Sequence, residues 1–329
     1  MKNYAKVELH LHLDGSVNLM WLYKKCLKRK VIDSNMSFED FYDLMFSRNV
    51  HHSAESIKKF DIICDALQLK EDLIEATYEL VKYLDDLGLI YAEIRFASQQ
   101  HCKAGLSQLE ALQAVVDGAN MAMKECDIKV GIIDCMMHKG DSASFNMKEN
   151  LETIEVTKQM LGKGVVGIDL AGYENNCDFN EYAPLFEKVK ELQIPYTIHA
   201  AEMGNGENIL KALNMKPYRI GHGVNCVQDE KYLKAVVDSQ IPLEVCVSSN
   251  VKPDMNYGRH AIRKLIEVGA NITINSDNML FARTNVLNEH AQLKMLGVSD
   301  EQLKQFTINA INASFADEDL KKQLLGKLG

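Results

Sequence analysis

The stretch VELHLHLDGS, Val7 to Ser16, separates by alternate residues into two unlike sets. Val7, Leu9, Leu11 and Leu13 are apolar, whereas Glu8, His10, His12 and Asp14 are all ionisable. Period-two alternation marks a strand, because successive side chains point to opposite faces. One face suits a packed layer of helices. The other presents two imidazoles and two acids, and histidines two apart on a strand lie close enough to share one ion. The alternative for the pair is two hydrogen-bonded core histidines.

Seven further segments rich in β-branched residues follow, at 89–97, 129–137, 164–172, 194–200, 218–224, 241–249 and 271–278. Helical patterns such as LSQLEALQAVVDGANMAMKE and YAPLFEKVKELQ separate them. Strands alternating with helices imply parallel pairing through crossovers. Eight such units favour a closed (β/α)8 barrel, or TIM barrel, formed as a single catalytic domain over 1–329, with an open doubly wound sheet as the alternative. The connection from about 14 to 88 is long and carries its own helical patterns, so a helical insertion after the first strand is expected. Phe38, Phe41, Leu44, Met45 and Phe46 form either an apolar lid over the site or a satellite core beneath that insertion.

The chain has 329 residues, 47% of them hydrophobic, which is enough for a sizeable core. A net charge of −9 opposes binding to nucleic acid or anionic membranes, since both rest on basic residues. The N-terminus MKNYAKVELH lacks an apolar signal region and no run reaches transmembrane length, so a cytoplasmic protein is expected. The eight cysteines form no CxxC pair and are read as reduced thiols, mostly in the core. Oligomeric state is not encoded in any of these features, and a monomer suffices.

In such barrels the chemistry gathers at the C-terminal ends of the strands. Here the first strand ends in His10, His12 and Asp14, and the fourth in Asp169 and Gly172. The fifth ends in His199, with Glu202 three residues on; the sixth ends in His222 and the eighth in Asp277 and Asn278. Singly, each has a plain reading: a structural histidine, a helix cap, a surface acid. Jointly, three imidazoles and a carboxylate on one rim suit one Zn²⁺ or another divalent transition metal that keeps a position open for water. Metal-assisted attack of water is the reaction class this predicts, with Glu202 and His222 as acid or base groups. No G-x-S-x-G, G-x-G-x-x-G or P-loop pattern competes with it.

VELHLHLDGS, DLAGYE, HAAEMGNGENI, RIGHGV, LEVCVSSNV and INSDN, in that order and spacing, resemble the adenosine deaminase family. The resemblance implies a zinc-dependent (β/α)8 barrel that hydrolyses adenosine and 2′-deoxyadenosine to the inosines and ammonia, as in purine salvage, through metal-activated water attacking purine C6. It implies that His10, His12, His199 and Asp277 hold the metal. Glu202 would protonate purine N1, and His222 would orient or deprotonate the water. Asp14 would bond the ribose 5′-hydroxyl, the backbone N–H of Gly172 would serve N3, and Asn278 would face N7. His12 would also border the substrate, and Asp277 would take part in catalysis as well as holding the metal.

This chain departs from the family pattern at three places. The usual HAGE is HAAE, so Ala201 replaces a glycine and would be strained if that position needs positive φ. Asn278 replaces a common second aspartate, and its amide can donate to N7 at any pH. Val247 stands where proline is usual. Asp14 favours a nucleoside with a free 5′-hydroxyl, since adenine and aminofutalosine deaminases commonly carry Glu there, and it disfavours a 5′-phosphate. An adenine deaminase, or a deaminase of a modified adenosine, is the alternative on the same scaffold. Binuclear relatives with a bridging lysine are disfavoured by GVVGIDLAG, and a non-catalytic barrel by the full set of competent residues. Glu8, deeper on the inward face, is expected to pair with Arg95.

Overall fold

The computed structural model describes residues 5–46, 54–174, 178–203, 205–250 and 258–328. Its strands are β1 (Lys6–His12), β2 (Leu89–Phe96), β3 (Lys129–His138) and β4 (Val165–Gly172), then β5 (Thr197–Ala200), β6 (Arg219–His222), β7 (Leu243–Val245) and β8 (Ile272–Ile274). β1 to β4 form one parallel ladder and β5 to β8 a second. Single bridges join the ladders, Ile168 with Tyr196 on one side and Leu11 with Asp277 on the other. At the second junction His12 N–H donates to Asp277 O at 3.1 Å and Asp277 N–H to His10 O at 2.9 Å. The ring closes as the eight-stranded barrel expected from the sequence.

The apolar side of the opening stretch does what its alternation predicts. Val7 and Leu9 pack on the helix Asp300–Ala313 through Ala310 and Ile311, while Leu11 and Leu13 join the core under the insertion. Outer helices start on side-chain caps: Ser107 with Glu110, and Ser299 with Gln302, each satisfy two otherwise orphaned donors. No described helix is long and apolar enough to cross a membrane.

Four helices lie between β1 and β2: α1 (Leu19–Arg29), α2 (Phe38–Phe46), α3 (Ala54–Ala66) and α4 (Lys70–Asp86). Lys25 and Arg29 of α1 grip Asp72 of α4 at 2.7 and 2.6 Å. The five apolar residues do not share one environment. Phe38 and Phe41 stack on Tyr23 at 5.4 and 5.5 Å, Met45 and Phe46 line the central cavity, and Leu44 is exposed.

Two expectations are corrected. The segment 241–249 is not one strand, because the chain turns into a short helix at Val247–Asn250. Glu8 does not pair with Arg95; it accepts from the Ser276 backbone N–H and from Ser276 Oγ at 3.0 Å. Burial raises its carboxyl to about 8, and Arg95 turns instead to stronger acids higher in the barrel.

Candidate active site

The barrel brings His10, His12, His199 and Asp277 together at its C-terminal end. His12 Nε2 lies 3.3 Å from His199 Nε2, and Asp277 Oδ1 is 3.5 Å from His12 Nε2 and 3.6 Å from His10 Nε2. A tetrahedral ion bound by nitrogen and oxygen at about 2.0–2.1 Å would have ligand–ligand edges of about 3.3–3.4 Å. The ligand-facing nitrogen of His10 is buried and has no hydrogen-bond partner among the described residues. The donor set therefore fits a zinc-like ion.

Two of the three outer imidazole nitrogens are supported by carboxylates. His10 Nδ1 is 2.7 Å from Glu244 Oε2, and His199 Nδ1 is 2.8 Å from Asp169 Oδ2. Those contacts place Nδ1–H toward a carboxylate and leave Nε2 free to coordinate, as metal-ligating histidines require. Arg95, fully buried, bridges the two acids at 2.8 Å each, and Arg219 ties Glu244 at 2.6 Å to Glu93, also at 2.6 Å. Burial alone would push the Glu244 carboxyl up, but the two guanidiniums hold it well below the usual range. Burial holds His12 well below an ordinary imidazole, hence neutral and able to ligate. Asp277 Oδ2 accepts from Ser249 Oγ at 2.7 Å.

Glu202 and His222 face each other beside this cluster, with Oε2 3.6 Å from Nε2. Burial lowers His222 to about 4, so its ring is neutral. Asn250 fixes which nitrogen holds the proton. Its Oδ1 accepts from Cys246 N–H at 3.1 Å, which turns its amide nitrogen toward His222 Nδ1 at 3.2 Å. Nδ1 is then the acceptor, and Nε2–H points into the site.

Ala201, between the ligand and the acid, has φ +53°, so the expected strain is real. His222 and Asp277 also sit in the left-handed region, at +60° and +59°. Glu174, from DLAGYE, caps the Ala201 turn. Its carboxylate accepts from the N–H groups of Ala201, Glu202 and Met203 at 2.5, 2.9 and 3.3 Å, and from Asn208 Nδ2 at 2.7 Å.

These groups open onto a cavity of 1460 Å³. Asp14, Gly172 and Asn278 all line it. Asp14 is buried with Oδ1 unpartnered among the described residues, and burial raises its carboxyl to about 7. Gly172 has φ +109°, and a Cβ there would come within 2.8 Å of His138 O, so only glycine brings this backbone to the cavity wall. Asn278 gives one amide N–H to Asp277 Oδ1 at 2.7 Å, and its second N–H has no partner among the described residues. Sequence reasoning gave no role to Glu174, Glu244, Ser249 or Asn250. Ionisable residues in step with the inward face of apolar strands were the available signal for Glu244; the others act through loop geometry.

A parallel barrel with a three-histidine, one-aspartate cluster and an adjoining acid defines a metal-dependent hydrolase of the amidohydrolase kind. Residues 5–329 match the pattern of the adenosine deaminase family. The chain is 33% identical to an adenosine deaminase of Haemophilus ducreyi, covering all of this chain and 96% of that one. It is 32% identical to that of Clostridium acetobutylicum, covering 99% and 97%. The chain belongs to the adenosine deaminase family. Its fold is also that of adenine deaminase from Arthrobacter aurescens, with a TM-score of 0.86 at 22% identity over 99% of this chain and 98% of that one. A zinc-bound Burkholderia amidohydrolase gives 0.85 at 21%, covering 98% and 89%.

Proposed function

We propose that this protein deaminates adenosine and 2′-deoxyadenosine hydrolytically, serving purine salvage in the cytoplasm with a single Zn²⁺. The observation that carries the reading is the joint geometry of the ligand set and the Glu202–His222 pair at the base of one cavity. Zinc, when bound by His10, His12, His199 and Asp277, supplies the Lewis acidity that makes water nucleophilic near neutral pH.

The remaining steps fall to the chain's own side chains. Glu202, within reach of the cluster, delivers a proton to purine N1, which draws electron density from C6 where water adds. His222 presents Nε2–H to the site and so orients the attacking oxygen, while the Asp277 carboxylate takes the proton that the water gives up and returns it to the departing amino group, which leaves as ammonia. Donors and charge fixed in advance stabilise the tetrahedral intermediate more than the flat purine. The Gly172 N–H takes N3, the free Asn278 N–H takes N7, and Asp14 takes the ribose 5′-hydroxyl. The adenosine-deaminase names of full-length relatives support this substrate, and Asp14 supports a nucleoside over free adenine.

The test is ultraviolet difference absorbance with ammonia release, using zinc-loaded protein given adenosine and adenine separately. Turnover of adenosine with adenine inert is expected. Turnover of adenine alone would overturn the ribose assignment and make the protein an adenine deaminase. Inactivity toward both with zinc bound would overturn the substrate reading.

A further inference from the structure

His138 ends β3 and belongs neither to the ligand set nor to its supports. It is 3% exposed, it lines the cavity, and neither ring nitrogen has a hydrogen-bond partner among the described residues. Two aromatic rings fix the imidazole, Tyr182 at 4.2 Å and 64° and Phe179 at 5.5 Å and 36°. Phenylalanine would suit such a nest. A buried imidazole with both hydrogen bonds unmade weakens the fold, so its partner is to be sought in what fills the cavity.

The neighbouring strand indicates which part of a ligand arrives there. His138 pairs with Gly172 in the β3–β4 register, and a Cβ built on Gly172 would lie 3.3 Å from His138 Cβ. Under the proposed function Gly172 N–H receives N3. That atom lies on the minor-groove edge of adenine, the edge beside which the ribose carries its 2′-hydroxyl. A hydroxyl donates and accepts one hydrogen bond readily, and a neutral imidazole offers one of each. Burial, reinforced by nearby His199, lowers His138 to about 3, so the ring is neutral at any working pH.

We propose that His138 is a specificity-determining residue that hydrogen-bonds the ribose 2′-hydroxyl and favours ribonucleosides over their 2′-deoxy counterparts. The inference rests on the nucleoside-deaminase reading, with N3 at Gly172.

The experiment compares kcat/KM for adenosine and 2′-deoxyadenosine in zinc-loaded wild type, H138F and H138N, with zinc content and urea stability measured on the same samples. In H138F the adenosine value is expected to fall about fivefold to tenfold, mainly through KM, while the 2′-deoxyadenosine value changes by less than twofold. H138F should be at least as stable as wild type, and H138N, which keeps a donor and an acceptor, should recover part of the adenosine value. Equal losses on both substrates, or an unchanged adenosine value, would overturn the proposal. So would a loss that tracks lowered stability or zinc content. A wild type that deaminates adenine but neither nucleoside would overturn the function itself, and shows up before any variant is compared.

Discussion

Replacing Glu174 with glutamine tests how the turn behind the acid is held. Oε1 accepts from Ala201 N–H and Asn208 Nδ2, and Oε2 from the N–H groups of Glu202 and Met203. E174Q keeps the volume but turns one acceptor into an NH₂ that faces two donors. Hydrogen bonds to a charged group contribute about 1.5–3 kcal/mol, and a stranded buried donor costs about 1–3 kcal/mol. With partial relaxation, E174Q should lose about 2–4 kcal/mol of stability. Ala201 at φ +53° carries a separate penalty of about 1 kcal/mol relative to glycine. A201G alone should therefore stabilise the protein by about 1 kcal/mol and change kcat/KM less than twofold. With the clamp gone, the strained turn is free to swing Glu202 away from its place 3.6 Å from His222. E174Q should then lower kcat at least tenfold, and adding A201G should return about fivefold of that, the factor matching about 1 kcal/mol. Urea unfolding and steady-state ammonia release measure the two effects, and zinc content per chain separates them from metal loss. If A201G destabilises the wild type, or E174Q retains full kcat, the clamp argument fails.

Three further outcomes are expected. E202Q should lose a factor of about 10²–10⁴ in kcat with zinc retained, and near-full activity would remove Glu202 as the acid. E244Q strips charge from a group that supports His10 and neutralises Arg95 and Arg219. Competition against a chelating dye should show zinc affinity weakened about 10–100-fold, and unfolding a loss of about 3–5 kcal/mol; an unchanged affinity would refute its supporting role. The third outcome concerns pH. His138 titrates at about 3 when folded and about 6.5 when unfolded, so the unfolded chain takes up a proton that the folded chain refuses. Wild type loses this contribution as pH falls through about 6.5, whereas H138F has no such group. Between pH 7 and 5, H138F should therefore gain about 1–2 kcal/mol relative to wild type, and a constant difference would contradict the assignment.

The first half of the barrel was legible almost to the residue. β1 spans Lys6–His12 as its alternation predicts, because one side of it is wholly apolar and a one-residue slip would bury the wrong face. The second half was readable only as a set of strands. Ala201, His222 and Asp277 leave the extended region just where the expected strands should continue; the glycine usual at position 201 hinted at the first, but the positive φ of His222 and Asp277 has no sequence signature. The ligand set was legible because strand-end histidines have little structural reason to recur. Its supports were not: Asp169 and Glu244 each choose between partners on other strands, and Glu8 was given Arg95 when Ser276 lay closer in the barrel. Such choices depend on depth along the barrel axis, which period-two alternation does not report.

The two four-stranded ladders give the site a mechanical role besides its chemical one. β1, which carries His10 and His12, meets the segment carrying Asp277 through one bridge and two backbone hydrogen bonds. His199 comes from the second ladder as well, so one ion held by all four residues would rivet the barrel across its thinnest seam. Metal affinity and resistance to opening are then the same free energy seen from two sides. Chelation should be felt first as faster exchange of the His12 and Asp277 amide hydrogens, before the outer helices loosen, and zinc in excess should slow that exchange again.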